Sequence, residues 1–106
     1  AHMAPQDMVI YVYDCNSSRG ANARRVAFTK RLFGYTYTWK TRTGYKSKRK
    51  PGLIETCPGS RKITDSAIMV PLEHTESFDQ LFLEYSDIIH TYSFAVSQER
   101  RLEHVF

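Results

Sequence analysis

Two carboxylates sit where apolar runs begin and end. Asp14 closes the run at residues 8–13, and Asp65 precedes the run at residues 66–70. A pair of carboxylates can hold Mg²⁺ and bridge it to phosphate oxygens, the chemistry of a metal-dependent phosphodiesterase. Asp is also a residue that commonly ends strands and forms turns, so a turn role stands beside the metal role for both. Asn16, Ser17 and Ser18 follow Asp14. They are helix-capping types, and a helix N-terminus binds phosphate through its free N–H groups.

The second chemically suggestive set is basic. Residues 1–62 carry thirteen Lys and Arg against Asp7, Asp14 and Glu55, a charge of +10; residues 63–106 carry two against eight acidic residues, a charge of −6. The net +4 therefore hides a dipolar chain that attracts polyanions on one side. Arg19, Arg24 and Arg25 fall on the first loop and helix. Arg42, Lys46, Lys48, Arg49, Lys50, Arg61 and Lys62 fall in a basic insert at residues 42–62, with Tyr45 among them. Cations interleaved with an aromatic ring suit the phosphates and bases of DNA or RNA, alone or in a larger nucleoprotein complex. The same charges would also serve as a solvated face, or as a hairpin by which an interaction subunit docks an acidic protein partner. Tyr35, Tyr37 and Trp39 alternate with Thr36, Thr38 and Lys40. Such a row ordinarily packs on helices, and it could alternatively stack bases.

The elements that must position these residues follow from periodicity. Residues 8–13 read as a central strand buried on both faces. Residues 21–33 read as a helix with a stripe of Ala23, Val26, Ala27 and Phe33, widened by Phe28 and Leu32, and ended by Gly34. Residues 35–42 alternate as a half-buried strand, 53–57 form a short strand candidate, and 66–70 another strand. Pro51-Gly52 and Pro58-Gly59 suit type II turns. Thr75 is the expected N-cap of a helix over 75–85, whose Phe78, Leu81, Phe82 and Tyr85 share one face. Residues 88–96 form the last strand. This order predicts an α+β domain of ferredoxin-like βαββαβ type: a four-stranded antiparallel sheet, with the basic insert between strands two and three. That topology sets Asp14 near Asp65, beside the first helix start and the base of the insert.

Residues 1–7 read as a tag remnant and flexible leader, and residues 8–106 as one domain. No apolar run approaches a membrane span and no secretory signal opens the chain, which points to a cytoplasmic protein. Cys15 and Cys57 lack zinc-ligand spacing and read as free thiols, with a disulfide left open if the strand ends that carry them meet. His90 alternates with Tyr92, Phe94 and Val96 and reads as structural. No phosphate-binding glycine loop is present, and no nucleophilic triad can be argued from spacing. Leu102, Val105 and Phe106 make an apolar tail suited to pairing with a sheet edge of a second copy, which predicts a homodimer.

The run Ile10-Tyr11-Val12-Tyr13-Asp14, then Arg24-Arg25, Gly34 and Ser66-Ala67-Ile68-Met69-Val70, resembles the small dimeric ferredoxin-fold CRISPR-associated proteins of the spacer-integration complex. The likeness covers roughly two thirds of the chain, and most of its matches are generic to the fold. The resemblance implies a homodimer that grips duplex DNA. In nuclease-active relatives it also implies a Mg²⁺-dependent endonuclease using the Asp at position 14. Here about twenty mostly basic residues separate the second and third strands, which that family joins tightly.

Overall fold

The computed structural model describes residues 7–15, 22–97 and Leu102. Four strands form one antiparallel sheet: β1 (Met8–Cys15), β4 (Arg61–Thr64), β5 (Ala67–Pro71) and β6 (Ile89–Val96), in the order β4-β5-β1-β6. Two helices, α1 (Asn22–Phe33) and α3 (Thr75–Glu84), contribute to a single core with one face of this sheet. β1 is central, as its β-branched and aromatic run requires, but it is buried on one face only. Val9, Tyr11 and Tyr13 point into the helix layer, while Val12 lies opposite Tyr92 on the uncovered face. Alternation within a strand assigns every second side chain to each face, and among the described residues no helix covers the second face.

The expected second strand is not in this sheet. Residues 35–41 belong to β2 (Gly34–Thr41), which pairs along its whole length with β3 (Gly44–Pro51) as a separate two-stranded ribbon. The physical reason is local. A two-residue loop, Arg42-Thr43, lets the chain turn straight back on itself, and the Thr41 hydroxyl donates to the Gly44 carbonyl at 3.0 Å. The main sheet takes β4 as its edge instead. Residues 53–57 form no strand either; Leu53–Thr56 is a single helical turn, α2. Pro58-Gly59 makes the expected turn, with Gly59 at φ 89° and the Ser60 N–H donating to Cys57 at 3.1 Å. Gly52 does not; its φ of −88° fits the N-cap of α2.

Two glycines set the root of the ribbon. Gly34 has φ 80°, so α1 can end and β2 begin without an intervening loop. Gly52 packs so closely that a Cβ there would run into the backbone of Gly34 and Phe33. Gly52→Ala is therefore expected to destabilise the domain by about 1–3 kcal/mol, read as a lower urea midpoint. An unchanged midpoint would show that the ribbon root is loosely packed.

α1 buries the two residues that widen the expected stripe rather than the stripe itself. In α1, Phe28 and Leu32 are buried while Ala23 and Val26 are exposed. The largest side chains choose the face because they remove the most apolar area from water. In α3, Phe78, Leu81 and Phe82 are buried as expected, with Tyr85 just beyond the helix. Thr75 is its first residue rather than its N-cap. A 3-10 turn, Leu72–His74, runs into the helix, and the Thr75 hydroxyl donates back to Leu72 at 2.8 Å. Asp7, assigned to the leader, accepts a hydrogen bond from the Leu72 N–H at 3.0 Å.

Two buried phenols anchor β1, one to α3 and one to the turn between β4 and β5. The Tyr11 hydroxyl donates to Asp79 at 2.6 Å, and the Tyr13 hydroxyl donates to the Asp65 carbonyl at 3.0 Å. Burial pushes the Tyr13 phenol up to about 12, and burial together with the Asp79 carboxylate pushes Tyr11 higher still. Both groups hold their protons more tightly folded than unfolded. Their contribution is thus complete below the unfolded value of about 10 and is lost as pH rises through the folded values. Urea midpoints should fall as pH rises from about 10 towards about 12, and Tyr13→Phe should flatten that fall.

Candidate nucleic-acid interface

The β2–β3 register places three aromatic rings directly opposite three lysines. Tyr35 faces Lys50, Tyr37 faces Lys48, and Trp39 faces Lys46. Directly paired residues in an antiparallel ladder share a face, so one side of the ribbon is an aromatic row flanked by a lysine row. The rings touch in sequence: Tyr35 and Tyr37 have centroids 6.1 Å apart, and Tyr37 and Trp39 stack at 5.6 Å. Tyr37 and Trp39 are each 42% exposed, so the row is not packed on the helices. Tyr35 is half-buried at the root, where the Lys30 ammonium lies 4.7 Å from its ring centre. The ribbon carries Lys40, Arg42, Lys46, Lys48, Arg49 and Lys50 and no acidic residue. Like charges so closely spaced repel one another, and an anion relieves that repulsion.

The remaining basic residues divide by what already engages them. On the opposite face of the ribbon, Arg49 pairs with Glu55 and donates to the Phe33 carbonyl, fastening β3 to α1 and α2. Tyr45, 74% exposed, also lies on that face, across from Lys40. Arg24 donates to Asp87 at 2.7 Å and lies over the Tyr85 ring, and Arg31 pairs with Glu84 over the same ring. These two arginines join α1 to the end of α3. Arg25 is exposed on α1. Arg61 lies against the Met69 sulfur on β5, and Lys62 pairs with Asp65 at 2.8 Å. Arg19 lies outside the described residues, as do Asn16, Ser17 and Ser18.

A cavity of about 740 Å³ opens at the inner end of the row. Lys30, Arg31, Tyr35 and Lys50 line its basic side, and Ser77 and Gln80 of α3 line the other. The sequence reading did not single out Lys30. Its signal was present: it lies five residues before Tyr35, across the helix end marked by Gly34.

Asp14 and Asp65 end up on neighbouring strand ends, since the Tyr13 N–H donates to the Ser66 carbonyl at 2.9 Å. Their side chains lead elsewhere. The Asp65 carboxylate is 97% exposed and held by the Lys62 ammonium, whose hydrogen bond keeps it below the usual carboxylate range. Asp14 lies opposite His90 on the uncovered face. Among the described residues, no three or more His, Cys, Asp or Glu side chains gather as a metal-binding group. The uncovered face holds one further surprise. Tyr92 and Phe94 are 66% and 56% exposed there, rather than packed as the alternation through His90 suggested.

Among the described residues no helix is long and apolar enough to cross a membrane. Cys15 and Cys57 are free thiols.

No family model, curated protein or solved structure matches this chain.

Proposed function

We propose that this protein binds nucleic acid, with the β2–β3 ribbon as its principal contact surface. The observation that supports the reading is the lysine row. Lys46, Lys48 and Lys50 stand on one face of an exposed ribbon, and among the described residues no carboxylate pairs with them. Cations left unpaired at a regular spacing suit a regularly spaced polyanion. Arg25, Lys40 and Arg42 extend the basic surface along α1 and around the ribbon tip. In this reading the four-stranded sheet is of the ferredoxin-like type, with β4 in the place of the second strand and the ribbon inserted before it. The protein is cytoplasmic and works as a homodimer. Among the described residues β6 pairs with β1 alone, which leaves an edge for a second copy, and Leu102 is exposed beyond it.

The test is binding of DNA and RNA strands, compared with heparin, across a range of salt. Log affinity for nucleic acid is expected to fall steeply with log salt. Equal binding of heparin and nucleic acid, without dependence on strand length, would leave only a generic basic surface. Binding confined to an acidic protein would make the ribbon a protein-docking element. The same incubations with Mg²⁺ and with chelator separate binding from catalysis. Cleavage that needs Mg²⁺ and is lost in Asp14→Asn would make the protein an endonuclease.

A further inference from the structure

The lysine row accounts for phosphates but not for the rings opposite it. Tyr37 and Trp39, each 42% exposed on a two-stranded ribbon, contribute less to folding than core rings do, since among the described residues no second layer packs on them. Their spacing narrows what could cover them. Side chains on one face of a strand repeat every two residues, about 6.8 Å. Bases in a duplex repeat every 3.4 Å or so along each strand, roughly half that interval, and their faces are already stacked. An extended, unpaired strand has free base faces and can meet the row one base per ring. The lysines opposite each ring then lie where the backbone of that strand would run.

We infer that the Tyr35–Tyr37–Trp39 face stacks the bases of single-stranded nucleic acid while Lys46, Lys48 and Lys50 hold its phosphates. This rests on the nucleic-acid reading above and adds the substrate class: unpaired strands in preference to duplex. Trp39 and Tyr37 take bases on their open rings. Tyr35 forms the inner end of the track, where the Lys30 ammonium and the cavity begin.

The chain has one tryptophan, so its fluorescence reports from the row itself. The experiment titrates the full chain with an oligothymidylate of about ten nucleotides, a length within the usual single-strand site range. An oligouridylate, an abasic strand of equal length and a duplex form the comparison arms. Base-bearing strands are expected to quench Trp39 and to bind about tenfold more tightly than the abasic strand, and more tightly than the duplex. With binding of these tryptophan-less variants read from the anisotropy of a dye-labelled strand, Trp39→Ala should remove most of that advantage and Trp39→Phe should restore it, circular dichroism showing both variants folded. If the abasic strand binds as tightly as oligothymidylate and Trp39 fluorescence does not change, stacking is wrong while phosphate binding survives. Preference for the duplex overturns the single-strand assignment in the same way. If no strand binds at all, the nucleic-acid reading itself fails and takes this inference with it.

Discussion

Replacing Lys46, Lys48 and Lys50 together with Ala is expected to remove most nucleic-acid binding at moderate salt. Each lysine that neutralises a phosphate releases a counterion, so each contact adds about 0.7 to the log–log salt slope for a single strand. Losing three should flatten that slope by about two units, and affinity should fall for every sequence alike because phosphates carry no sequence information. The register makes this set more specific than the basic run Lys48-Arg49-Lys50 in the sequence. Arg49 points to the other face and fastens the ribbon to Glu55 and Phe33. Its replacement would mix a structural loss with a binding loss. The three lysines are exposed, so the variant should keep its thermal midpoint while binding falls. Unchanged affinity and slope would move the binding surface off the ribbon.

The second large effect lies in the core. Phe82→Ala is expected to cost about 3–5 kcal/mol, most of the stability that a domain of this size commands. Phe82 is 4% exposed, and its ring meets those of Tyr11, Tyr13 and Phe28 at centroid distances of 5.0, 5.4 and 5.5 Å. It therefore links β1, α1 and α3 at one point. Removing it leaves a cavity bordered by three rings, of which Tyr11 and Tyr13 are held by their hydroxyl hydrogen bonds and cannot easily collapse into it. Chemical denaturation should show the loss directly. A cost below about 1 kcal/mol would mean that the aromatic cluster repacks freely.

Much of the helical and strand content was legible because it rests on local periodicity. The i, i+3, i+4, i+7 series of Phe78, Leu81, Phe82 and Tyr85 does bury against the sheet, and Gly34 does end α1 at a positive φ. The basic character of the segment after residue 40 was equally plain. The pairing of rings with lysines was not, although its ingredients are in the sequence. The positions 35, 37, 39 and 46, 48, 50 share faces only if residues 42 and 43 form a two-residue turn. That turn lacks the Asn-Gly or Asp-Gly pair that usually marks one.

By itself the sequence determined where β1, α1, β2, β5, α3 and β6 lie, where charge concentrates, and that one aromatic run alternates, but it marked neither β4 nor the helical turn at Leu53–Thr56. Those properties depend on neighbours a few residues apart. Only the tertiary structure decided which strands share a sheet and which faces stay open. A strand of alternating pattern is satisfied by any partner that supplies backbone hydrogen bonds and covers one face. The pattern of β2 fitted the main sheet as well as it fits β3. The adjacent chain, returning after two residues, pays little loop-closure entropy to pair with it. That local pairing kept Tyr37 and Trp39 out of the core and left them beside the lysines.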